Sequence, residues 1–168
     1  MKYLPIEKVT YKTELKKAEI VSRLSDYIEP EKIPFRISRK GTKPYEGNVY
    51  NNKFEINRII KYRNACLPRI YGVIQRNSEG TTIKVNMILH LPVVIFLFLW
   101  FGVLGFACVF SLIQFILHSE YRNPAVFLIF GMFFLVYYGV MKAFKYESTK
   151  SKKDLEKLFE AEIIDENK

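Results

Sequence analysis

Residues 91–117 read LPVVIFLFLWFGVLGFACVFSLIQFIL, 27 residues without one charged side chain. As an α-helix at about 1.5 Å per residue, this run would be about 40 Å long. A bilayer hydrocarbon core of about 30 Å needs only about 20 apolar residues, so the run is expected to span it with tilt or with its ends among the headgroups. Pro92 falls in the first turn, where a missing N–H costs little. A second apolar run, Ala125–Met141, ends at Lys142, whose aliphatic stem can snorkel and lengthen the usable span. Asn123 and Pro124 supply a cap and a first helical residue. The seven residues 118–124 leave room only for a tight hairpin. The expectation is two antiparallel transmembrane helices, 91–117 and 125–145, joined by an extracytoplasmic loop at 118–124.

The mean hydropathy of +0.00 averages this nearly uncharged stretch with a strongly charged remainder. That division excludes an ordinary soluble globule. A disordered chain is excluded as well, because 49% of residues are hydrophobic and 15% aromatic. Orientation follows from basic residues near the span ends. The 118–124 loop carries only Arg122, whereas Lys142, Lys145, Lys150, Lys152 and Lys153 crowd the far side of the second run. Residues 1–90 hold 18 basic against 9 acidic side chains, the whole net charge of +9. A multi-pass protein of a bacterial inner (cytoplasmic) membrane is expected, with both termini cytoplasmic. Residues 1–25 contain no apolar signal region. Cys66 in the soluble part and Cys108 in the first membrane helix suit neither a disulfide nor a metal site.

Outside the apolar runs, Ile6–Tyr11 reads as a strand. Thr13 and Glu14 then open a helix whose apolar stripe is Leu15, Ala18, Val21, Leu24 and Ile28, ended by Glu29-Pro30. Strands are expected from Phe35 to Arg39, over Tyr45–Tyr50, over Lys53–Ile60 after an Asn51-Asn52 turn, and in a hairpin of Arg69–Arg76 with Thr81–Ile88, where Gly80 supplies the left-handed turn residue. Ser148–Lys153 reads as a polar joint, with Ser151-Lys152-Lys153-Asp154 like a capping box. Leu155, Leu158, Phe159 and Ile163 then form a second amphipathic helix. The fold expected is α+β with a membrane hairpin: an antiparallel sheet packed by two amphipathic helices, with the two transmembrane helices inserted before the C-terminal one. Residues 1–90 and 146–168 would together make the cytoplasmic domain.

This order of elements, with Gly72-Val73-Ile74 and Glu79-Gly80-Thr81-Thr82-Ile83, resembles the helix-grip fold of the START/Bet v 1-like superfamily. The resemblance implies a sheet wrapped on a C-terminal helix with a cavity between them, small here because the chain is short. Phe54–Gly72, above all Tyr62-Arg63-Asn64 and Leu67-Pro68, together with Leu89-His90-Leu91-Pro92, resembles a group of small bacterial two-transmembrane-helix proteins of unassigned function.

Catalytic motifs are missing from the sequence. His90 and His118 bracket the first apolar run, about 42 Å apart along a helix, so they cannot share a site. There is no phosphate loop, nucleophile elbow, zinc-protease pair or cysteine pair. No residue is assigned a catalytic, cofactor or metal role, and the chain is expected not to be an enzyme. The apolar runs lack the ionisable residues that mark ion pathways. Ala107, Ser111 and Gln114 step along one face of the first helix, with Gly131 and Tyr138 on the second as packing partners.

The basic residues are the strongest lead. Arg58, Lys61, Tyr62 and Arg63, with Lys142, Lys145, Lys150, Lys152 and Lys153, are the candidate contacts to anionic headgroups or a partner. The reading is a basic cytoplasmic domain that binds a lipid, a small apolar ligand or a protein partner at the membrane face. The alternatives are an assembly protein that oligomerises through its hairpin, or a membrane-perturbing pore or effector. No recognised nucleic-acid module is present.

Overall fold

The structure, a computed structural model, describes residues 4–30, 43–77, 80–117 and 125–166. The chain divides into two compact units, Met1–His90 with Ala143–Lys168, and Leu91–Lys142.

The first unit is α+β. Its strands are β1 (Ile6–Thr13), β2 (Ile28–Glu29), β3 (Tyr45–Tyr50), β4 (Lys53–Arg58), β5 (Pro68–Asn77), β6 (Gly80–Leu89) and β7 (Glu162–Glu166). They form one seven-stranded sheet in the order β2-β3-β4-β5-β6-β1-β7. All neighbours are antiparallel except β2 and β3, so the sheet is mixed rather than purely antiparallel. The β3–β4 turn forms where the two asparagines predict it, with Asn51 at φ +44° in the left-handed region. Asn77 pairs with Gly80 at the end of the β5–β6 hairpin, and Gly80 has φ +128°. Residues 78–79 of that hairpin lie outside the described residues, as does the expected strand from Phe35 to Arg39.

Alternation sets the inner face of the sheet. Val9, Tyr11 and Thr13 of β1, Phe54 and Ile56 of β4, Ile70 and Ile74 of β5, and Ile83, Val85 and Met87 of β6 are all buried. Gly72 stands opposite Phe54 in the β4–β5 register, and the Phe54 ring lies over it. A Cβ on residue 72 would fall inside that ring. Gly72→Ala is expected to cost about 1–3 kcal/mol by displacing Phe54; unchanged thermal unfolding of the full-length variant would contradict this packing.

Two helices contribute to the core. The first, α1 (Lys17–Tyr27), starts later than the sequence predicts. Thr13 is the last residue of β1, not a helix cap. Its hydroxyl accepts the Leu15 N–H at 3.2 Å and donates to the Phe159 carbonyl at 2.7 Å. Of the expected stripe Leu24 is buried, Leu15 and Val21 are half-buried and Ala18 is exposed; Ile20 is buried instead, and Ile28 belongs to β2.

The second is α3 (Ala125–Phe159), a single helix of 35 residues. It replaces two expected elements, a membrane helix ending near residue 145 and a separate C-terminal helix. Ser148 and Ser151 are wholly buried within it and cap nothing, and Ile163 lies in β7. The reason is periodicity. Phe144, Ser148, Ser151, Leu155 and Phe159 step by four, three, four and four and are all buried, so one stripe runs unbroken through the polar stretch. The Phe159 ring meets Tyr11 edge-on at 6.0 Å and Phe54 at 6.0 Å. Its C-terminal part therefore packs on the sheet. The helix ends at Glu160, in the left-handed region at φ +45°, with the Ala161 N–H returning to the Glu156 carbonyl at 3.1 Å.

The second unit pairs α2 (Leu91–Leu117) with residues 125–142 of α3. Phe101 packs edge-on against Phe133 at 5.0 Å and against Tyr137 at 6.5 Å. Leu104 and Cys108 are the buried residues of α2. Among the described residues, α2 is the one helix long and apolar enough to cross a membrane by length and composition. The expected loop at 118–124, with His118, Arg122, Asn123 and Pro124, lies outside the described residues.

Candidate functional site

The candidate site is a polar cluster where α3 crosses β3, β4 and the loop that follows β4. Residue 58 ends β4 with its side chain on the inner face, toward α3. The Arg58 guanidinium reaches the Glu147 carboxylate at 3.3 Å and the Asp154 carboxylate at 3.2 Å. Glu147 and Asp154 are seven residues apart, two turns of α3, so they share its sheet-facing side. The Tyr45 hydroxyl of β3 donates to Asp154 at 3.2 Å. Tyr62 donates to the other oxygen of Glu147.

Glu147 is 0% exposed. A buried carboxylate is costly unless a cation and donors surround it; here Arg58 and the Tyr62 phenol provide both. Tyr62 is 50% exposed, and its hydrogen bond to Glu147 holds its hydroxyl above the usual phenol range. Burial is the chief cause of a larger rise at Tyr45.

The loop over residues 59–67 is fixed at both ends. Ile60 and Leu67 are buried, the Ile59 N–H donates to the Pro44 carbonyl at 2.8 Å, and the Cys66 N–H donates to the Asn64 side chain at 2.9 Å. Between these anchors Lys61, Tyr62 and Arg63 are exposed. On α3, the Lys150 ammonium sits 3.9 Å from the centre of the Tyr146 ring, and Tyr146 is itself exposed.

The sequence-selected residues therefore divide. Lys61, Arg63, Lys145 and Lys153 present exposed side chains in the first unit. Arg58 is engaged with two carboxylates, and Lys152 pairs with Glu7 at 2.9 Å; both serve internal contacts, which the sequence alone did not indicate. In the second unit, Lys142 is exposed, 6.0 Å from the Tyr138 ring. Ala107, Ser111 and Gln114 are half-buried beside Leu104 and Cys108, whereas Gly131 and Tyr138 are exposed, off the face that carries Phe133 and Tyr137. Phe133 and Tyr137 of α3 meet Phe101 of α2, and a Cβ on Gly131 would meet open space.

Sequence reading missed Tyr45, Glu147, Asp154 and Tyr146. Glu147 did carry a signal: it is the first acidic residue after the charge-free run and falls on the buried stripe of α3. Among the described residues no group of three or more His, Cys, Asp or Glu side chains is placed to hold a metal ion. Cys66 is half-buried, and burial pushes its thiol up, away from the reactive thiolate. The rings of Tyr11, Phe54 and Phe159 are buried and meet one another between sheet and helix, where the helix-grip resemblance implies a cavity. Searches for a matching family model, a matching curated protein and a matching solved structure each found none.

Proposed function

We propose that the chain is a non-enzymatic integral membrane protein. The unit formed by α2 and the first part of α3 spans the bilayer, and the basic α+β unit serves as a binding platform at the cytoplasmic membrane face. The observation that carries this reading is the surface of α2. Its 27 residues carry no charge, yet little of its apolar surface is buried. Phe98, Val103, Phe106 and Ile116 are each at least 69% exposed, as are Leu128 and Leu135 on α3. Contiguous apolar surface of this extent is not stable in water and matches lipid chains.

Both helices take part in the proposed span. The first 17 residues of α3 carry no charge, and Lys142 follows at their end. Arg76 and Lys84 shortly before α2, and Lys142, Lys145, Lys150, Lys152 and Lys153 just past the uncharged part of α3, favour the side of the membrane that retains Lys and Arg. The buried contacts of Phe159 with Tyr11 and Phe54 occupy part of the region where an enclosed apolar ligand would sit, which supports a surface partner.

Alkaline carbonate washing of membranes from cells expressing the full-length chain tests the anchoring. The protein is expected to remain with the lipid pellet. Release into the wash, as for a peripheral protein, would overturn the proposal.

A further inference from the structure

We infer that the exposed crown of the 59–67 loop and the adjoining turns of α3 form a binding surface for anionic phospholipid headgroups. The inference rests on the membrane-anchored reading above and assigns its partner. The elements converge through Glu147: the carboxylate that pairs with Arg58 also takes the Tyr62 hydroxyl, which fixes Lys61 and Arg63 on either side of a held ring. Glu147 is fully buried and faces a guanidinium, so its negative charge is answered within the protein. The outer surface then presents Lys61 and Arg63 on either side of Tyr62 in the chain, and Lys150 with its ammonium 3.9 Å from the centre of the Tyr146 ring.

On α3, Tyr146, Lys150 and Lys153 step by four and three, so they lie along one side of the helix. That side is distinct from the buried stripe of Ser148, Ser151 and Leu155. Cations with interleaved tyrosines just past an apolar span are complementary to phosphate headgroups. Arg58 is a positioning residue here, because its guanidinium is taken up by Glu147 and Asp154.

The test uses the full-length protein in mild detergent, titrated with phosphatidylglycerol or with phosphatidylcholine, with bound lipid counted by native mass spectrometry. The wild type is expected to retain phosphatidylglycerol in preference. Lys61→Gln, Arg63→Gln and Lys150→Gln combined should weaken that retention by about fivefold per cation, on the order of 100-fold if the three add. The charge-keeping set Lys61→Arg, Arg63→Lys and Lys150→Arg should restore it. Removing the same charge at the exposed residues Lys8, Lys16 and Lys17 should leave it nearly unchanged. Equal retention in the first set and the wild type, or an equal loss in the Lys8/Lys16/Lys17 set, would overturn the inference. A wild type that needs detergent yet shows no preference overturns the lipid assignment alone. A wild type that stays dispersed and monomeric without detergent overturns the membrane reading as well.

Discussion

Phe159→Ala is expected to destabilise the α+β unit by about 3–5 kcal/mol, the range for truncating a fully buried phenylalanine. Phe159 is 0% exposed, and its ring is wedged between Tyr11 of β1 and Phe54 of β4. Its carbonyl also takes the Thr13 hydroxyl, so the residue closes the helix, the first strand and the sheet centre together. Truncation removes two ring contacts and leaves a cavity that the rigid sheet cannot collapse to fill. Thermal unfolding of the full-length protein in mild detergent, followed by near-ultraviolet circular dichroism, should show a midpoint lower by roughly 10–20 °C. Phe159→Leu, which keeps most of the volume, should lose less than half of that. A Phe159→Ala midpoint within a degree or two of wild type would mean that the C-terminal part of α3 does not pack on the sheet.

The second large effect is expected at Glu147. Glu147→Ala leaves the Tyr62 hydroxyl without its acceptor and the Arg58 guanidinium with Asp154 alone. Breaking a fully buried ion pair costs about 3–5 kcal/mol. Arg58 is 21% exposed and keeps one partner, so solvent screening brings the expected loss to about 2–3 kcal/mol. Combining Glu147→Leu with Arg58→Met should cost clearly less than the two single changes summed, because neither charge is then left unpaired. The same unfolding measurement decides it. Strict additivity, or a loss below about 0.5 kcal/mol for Glu147→Ala, would mean that the contacts with Arg58 and Tyr62 contribute nothing to stability.

These two residues also mark what the sequence could disclose. Local patterns were legible: the β3–β4 turn followed from its two asparagines, the β5–β6 hairpin from alternation and Gly80, and α2 from an uninterrupted apolar run. What failed was the weighing of local against tertiary signals. Ser148, Thr149 and Ser151 have modest helix propensity and resemble a cap, so local preference alone predicts a break there. Burial against the sheet overrides that preference, and the periodic stripe from Phe144 to Phe159 was the evidence for continuity. Thr13 misled in the same way, since its hydroxyl is committed to Phe159, 146 residues along the chain. Ile163 continues the apolar period of the helix in sequence, but Glu160 ends the helix and residue 163 lies in β7.

At the candidate site, the tract from Arg58 to Arg63 was visible as a cluster of basic and aromatic residues. The division of labour within it was not. Composition cannot distinguish an arginine facing two carboxylates on α3 from a lysine exposed on a loop, because the distinction arises 89 residues away, at Glu147.

The central claim is that α2 lies in lipid, and the single tryptophan, Trp100, tests it most directly. Trp100 is nine residues into α2, about 14 Å along its axis, and is exposed on the helix surface. The measurement is its fluorescence in full-length protein reconstituted into vesicles with and without brominated acyl chains. The account predicts blue-shifted emission that brominated lipid quenches strongly and aqueous iodide does not. Red-shifted emission quenched by iodide and untouched by bromine would place α2 in water and contradict it.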